Sequence, residues 1–270
     1  LNPSISKSQI NYGFKIHGQV KTSDEPLTFS MPNFPVFPNL PIHPNMVEGT
    51  HNVIAEGNLN ITNYQVANFT LHLNSDYKFN QINMNSGRTL NINIGNQDRV
   101  IVVEQLNIEN GFINILGTGK LTIYVNNNIT FNNGRINSED KTQNLTIYLK
   151  GSGNPSHPKV VNISGSQKIY ASLYAEDADV QLFNSGGFQG NIITGGKNVN
   201  LSGSATANVR AIYAPNAKVS VDAGANVKGV VISNEFSMSG NTTLEYTDVK
   251  GDPFLESLFG GNVSYKPIWK

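Results

Sequence analysis

The chain has 270 residues, 19 Lys+Arg against 19 Asp+Glu, 14% charged residues and no cysteine. Zero formal net charge argues against a nucleic-acid binder that displaces counterions from phosphates, and sparse charge argues against a Glu/Lys-rich coiled coil. Without cysteine there are no disulfide frameworks, thiolate metal sites or thiol nucleophiles, and no 18-residue apolar run marks a membrane span or signal peptide. The excess residue is asparagine, 39 of 270, beside 25 glycines. Both tolerate left-handed backbone, so the chain is expected to turn often, with turn asparagines stacking into amide ladders from coil to coil.

In chain order, residues 1–56 read as an irregular cap. Six prolines fall between Pro26 and Pro44. A residue without an N–H cannot sit in an interior strand, so this segment is expected to lie extended over the surface or one open end, anchored by Phe34, Phe37 and Leu40. From Leu59 onward the apolar residues alternate. Phe69, Leu71 and Leu73 form one set, and Leu90, Ile92 and Ile94 the next. Leu121, Ile123 and Val125 are followed by Leu145, Ile147 and Leu149. Each is a short strand with one buried face. The step from Leu121 to Leu145 is 24 residues, so loops are inserted here, most clearly between Lys150 and Lys159.

A fixed period follows. Leu173, Ile192, Ile212 and Val231 advance by 19, 20 and 19 residues. Val180, Val199, Val219 and Phe236 advance with them, as do Phe188, Ala207, Val227 and Leu244. Three ladders in phase predict an all-β domain: a right-handed parallel β-helix of three strands per coil and 19–20 residues per coil, over residues 57–248. At residues 249–270 a C-terminal cap is expected, with a short helix opened by Asp252 and Pro253 and ended by Gly260. Both caps are expected to cover the solenoid's exposed edges.

The densest acidic cluster is Glu176, Asp177 and Asp179, opposite Lys218 in the repeat and near Arg210. It is a candidate carbohydrate or calcium site, because carboxylates suit a hard cation and sugar chemistry alike. It lacks the glycine–acid repeat of calcium-binding β-rolls, and no second carboxylate cluster completes a hydrolase or lyase. His17, His43, His51, His72 and His157 are scattered, and no nucleophile elbow or phosphate loop occurs, so no catalytic residue, metal ligand or cofactor is expected. Tyr174 and Tyr213 recur at one position of a double repeat. They point opposite to Ile212 and Ala214 and are expected to form an exposed aromatic ladder, for ligand stacking or cross-rung packing.

The run from Ala211 to Val221, Val227 to Ser233, Phe236 to Asn241 and Tyr246 to Asp248 resembles the C-terminal signature of the PilX-like group of Gram-positive, Bacillus-type bacteria. The segments Leu121–Asn126, Leu145–Leu149 and Tyr265–Trp269 are similar to it as well. Members carry a prepilin-type helix before a domain of unknown function. The resemblance implies an extracellular, cell-surface domain tethered through a segment outside this sequence. It would be non-enzymatic, structural, adhesive or pilus-associated, and monomeric as a fragment, with pilus or envelope proteins or a surface glycan as partners. Two alternatives stand beside it: a carbohydrate-active or carbohydrate-binding β-helix using the Glu176–Asp179 turn, and a bactofilin-like filament subunit, against which the two caps argue.

Overall fold

Period-two alternation becomes strand wherever one face is buried, as in Leu145–Leu149, whose residues alternate between buried and half-buried. In the structure, a computed structural model describing residues 28–154, 156–248 and 250–259, about 58% of residues are strand and about 7% helix, in a β-solenoid of about eight turns. All three predicted ladders are present in register. Leu173 pairs with Ile192, Ile192 with Ile212 and Ile212 with Val231. Val180 continues through Val199 and Val219 to Phe236, and Phe188 through Ala207 and Val227 to Leu244. Upstream, the coils are longer but still in register, with Ile101, Ile123 and Ile147 stacked below Leu173. Between coils, backbone donors and acceptors go to the neighbouring rungs, and the inward aliphatic columns form one continuous core.

The two ends differ. At the N-terminal end, Met46–Glu48, His51–Ala55 and Asn58–Ile61 pair antiparallel before the first parallel rung, and bury Val53 and Ile54. At the other end, Val230–Met238 and Thr243–Glu245 pair on one side only among the described residues, leaving core-facing Phe236 41% exposed. The described parts of the two flanking segments, residues 28–45 and 250–259, lie along the side of the solenoid, the first of them extended over the surface as one reading of its prolines expects.

What they cover is one outward column. Lys78, Val102, Tyr124, Tyr148, Tyr174, Ile193, Tyr213 and Ile232 share a register. The proline-rich segment runs back along it. Phe29 meets Tyr213, Phe34 meets Tyr174 and Tyr148, Phe37 meets Tyr124, and His43 meets Tyr77. Its prolines from Pro32 to Pro44 recur every third residue, the polyproline II period, and exposure follows the same period, with Asn33, Val36 and Asn39 outward. The helix Pro253–Phe259 covers the rest of the column with Phe254, Leu255, Leu258 and Phe259. Tyr174 and Tyr213 thus point away from the solenoid core as predicted but are only 1% and 4% exposed, so they are not the surface aromatics expected. Pro26, Gly260 and Tyr265–Trp269 lie outside the described residues.

Asparagine ladders exist, but on strands. Asn83 donates to Asn60 and Asn107 to Asn83, each at 2.9 Å. A second ladder joins Asn68, Asn91 and Asn114 at 2.9 Å, and Arg135 caps it at 3.0 Å. The turn asparagines have the other role, with Asn110, Asn133, Asn137 and Asn184 at positive φ.

Candidate functional site: a lateral groove

The coils turn a corner at Gly190 and Gly229, where φ is 128° and 146°. A Cβ there would stand 1.9 Å from the Ala171 carbonyl oxygen or 2.0 Å from that of Val209, so neither position admits a side chain. The corner sets two outward columns at an angle. One carries Thr122, Thr146, Ser172 and Asn191, and the other Tyr170, Gln189 and Asn208. Two walls rise beside them, the 3-10 segment Glu139–Asn144 and the C-terminal helix. The space enclosed is a groove of about 870 Å³.

Asp252 builds one wall. Its Oδ1 accepts from the amides of Phe254 and Leu255 at 3.0 Å, capping the helix as the sequence predicts. It also accepts from Asn191 Nδ2 at 3.2 Å, while Oδ2 lies 3.3 Å from Arg210. Asn191 donates further to Ser172 at 3.2 Å. Its own Oδ1 is buried with no donor, a cost that a ligand or water donor would remove. The opposite wall is held by Asn137, whose Nδ2 donates to the carbonyls of Lys141 at 2.7 Å and Tyr170 at 3.0 Å.

Tyr124 and Tyr148, stacked 5.1 Å apart, face the groove on one side and the proline-rich segment on the other. Burial, and then the neighbouring Tyr124, pushes the Tyr148 phenol up to about 12, and burial alone raises Tyr124. Both hydroxyls are therefore protonated near neutrality and able to donate. The groove's charges balance: Lys120, Arg210 and Lys228 against Glu139, Asp140 and Asp252. Among the described residues the side chains of Gln189 and Asn208 make no hydrogen bond, so their amides are free for a ligand.

The acidic turn lies elsewhere and is occupied by the protein itself. Glu176 accepts from the Gly151 amide at 2.8 Å, and Asp177 from the Ser152 amide at 2.8 Å and hydroxyl at 2.7 Å. Together they hold the Lys150–Lys159 loop. Asp179 accepts from the amides of Lys197 at 2.7 Å and Asn198 at 2.9 Å. Arg210 is drawn to Asp252, not to this turn. The three carboxylates thus diverge, and among the described residues no group of three or more His, Asp or Glu is placed to hold a metal ion. Lys159 donates to the carbonyls of Asn126 and Lys150 at 2.7 Å, and burial lowers its pKa despite the nearby Asp177.

Sequence reading missed Gln189, Asn191 and Asn208 as site residues. A signal was present, since Gly190 and Gly229 match in the double repeat and Asn191 stands in the register position where the next coils carry Ala211 and Val230. The groove's walls, however, are inserted or terminal segments without periodicity. Among the described residues no helix is long and apolar enough to cross a membrane. No curated protein and no solved structure matches the chain. A family profile does match, over residues 39–208, and the chain accordingly belongs to the family defined by the domain of unknown function DUF7305.

Proposed function

We propose that this chain is a non-enzymatic, cell-surface recognition scaffold of the adhesive or pilus-associated kind, which presents the lateral groove to a partner outside the cell. The observation that carries the reading is the groove itself. Its floor is sheet paired on both sides, the side-chain amides of Gln189 and Asn208 make no hydrogen bond among the described residues, and its one buried carboxylate, Asp252, is engaged in a helix cap and with Arg210. General acid–base chemistry on sugars needs a second positioned carboxylate, and recognition does not. The resemblance to prepilin-associated domains supports a tethered, extracellular setting.

Two measurements test this. An antibody to the domain should label intact cells of the source organism without permeabilisation; labelling only after permeabilisation overturns the surface setting. Beads carrying the pure chain should adhere to isolated cell envelopes without releasing soluble saccharides. Release of reducing or unsaturated ends would make it an enzyme. The filament alternative retains one supporting feature, the Val230–Met238 edge, which pairs on one side only among the described residues. Sedimentation decides it, since a subunit of that kind pellets and a scaffold runs as one small boundary.

A further inference from the structure

We infer that the corner groove binds a neutral, linear oligosaccharide lying along the solenoid axis. The inference rests on the recognition reading above and gives it a ligand class. The floor is periodic, because each coil adds one rung of Thr122, Thr146, Ser172 and Asn191. Rungs are spaced about 4.8 Å apart, close to the length of one pyranose unit, so a polymer of such units meets equivalent groups at each step.

The chemistry of the lining selects hydroxyls. Gln189 and Asn208 offer both a donor and an acceptor, and the threonines act in either direction. The buried Asn191 Oδ1 needs a donor, which a sugar hydroxyl supplies and a carboxylate or phosphate does not. Phe254, with its ring centroid 6.4 Å from that of Tyr148, gives the wall an apolar surface for the C–H face of a ring.

Competing ligand classes fit less well. Three cations balanced by three acids give no field to attract a polyanion, which removes nucleic acid and acidic polysaccharide. An extended peptide docks by adding a strand to an open edge, and the groove floor is interior sheet with both edges paired.

The test is titration calorimetry of the full chain with cellohexaose, chitohexaose and xylohexaose, and with an oligogalacturonate of equal length as the acidic probe. The expected result is binding of at least one neutral probe, unchanged between low and high salt. In the double variant Gln189→Ala, Asn208→Ala, two lost hydrogen bonds weaken it about tenfold. Both residues lie outside the core, so the thermal midpoint should hold. Asn191→Asp supplies an independent variant, expected to weaken binding by adding an anion beside Asp252. Preference for oligogalacturonate, equal affinity in the double variant, or no binding of any neutral probe overturns the inference. Bead adhesion separates the two levels: if wild type and double variant adhere equally, the ligand assignment falls and the scaffold stands, whereas failure of wild type to adhere removes the scaffold reading itself.

Discussion

The Tyr213 hydroxyl donates to the Ser30 carbonyl at 2.7 Å, joining positions 183 residues apart. The same ring lies 6.5 Å from Phe29 and 4.7 Å from Phe259, so the segments before and after the solenoid meet on one side chain. From there the proline-rich segment runs toward the N-terminal coils, where the Lys78 backbone amide donates to the Pro41 carbonyl at 2.8 Å. It therefore ties together coils that otherwise contact only their neighbours, the weak point of a solenoid.

Loosening that tie should lower stability more than its exposed position suggests. Phe34 sits 5.1 Å from Tyr174 and 6.0 Å from Tyr148. Phe34→Ala is expected to cost about 2 kcal/mol, and Tyr213→Phe about 1 kcal/mol, in urea unfolding. Faster protease cleavage between residues 28 and 45 should accompany the first.

The corner glycines separate close approach from backbone preference. Gly190→Ala meets the Ala171 carbonyl oxygen at 1.9 Å, whereas Gly87, at φ 73°, has nothing within 4 Å of an added Cβ. Gly190→Ala should cost about 3–5 kcal/mol and Gly87→Ala about 1 kcal/mol, read as shifts in denaturant midpoint.

The acidic turn should behave as a clamp. Asp177→Ala frees Ser152 and is expected to raise cleavage between residues 150 and 159 many-fold, with a midpoint loss of about 1 kcal/mol. Asp179→Ala, at a residue only 8% exposed, strands the Lys197 and Asn198 amides and should cost about 2–3 kcal/mol with no change at the loop. Equal protease sensitivity of the two variants would argue against the clamp.

Alkaline titration reads the covered tyrosine column. Burial raises Tyr148 from 10.0 to about 12 and raises Tyr174 further. Across that window the unfolded chain has lost a proton that the folded chain keeps, so stability falls as pH rises from about 10. Near-ultraviolet tyrosinate absorbance should show a late-titrating class that joins the ordinary class when the protein is unfolded in urea. Phe34→Ala should shift part of that class to lower pH.

The coil was legible in the sequence because pairing between successive rungs repeats one pattern of alternation at nearly constant steps. Leu173, Ile192, Ile212 and Val231 carry it openly, and register in a parallel sheet follows from which residues must face inward. Asp252 and Pro253 marked their helix by local capping chemistry alone.

Tertiary structure decided what covers the outward face. Alternation places Tyr174 away from the solenoid core but is silent on whether water or Phe34 lies beyond it, since that depends on a segment docking from 140 positions upstream. The groove arises the same way. Its floor is periodic and readable, but its walls, Glu139–Asn144 and Pro253–Phe259, are single insertions positioned by Asn137 and Asp252. Periodicity encodes the inside of a solenoid; its outer surface is set by individual long-range contacts that no repeat announces.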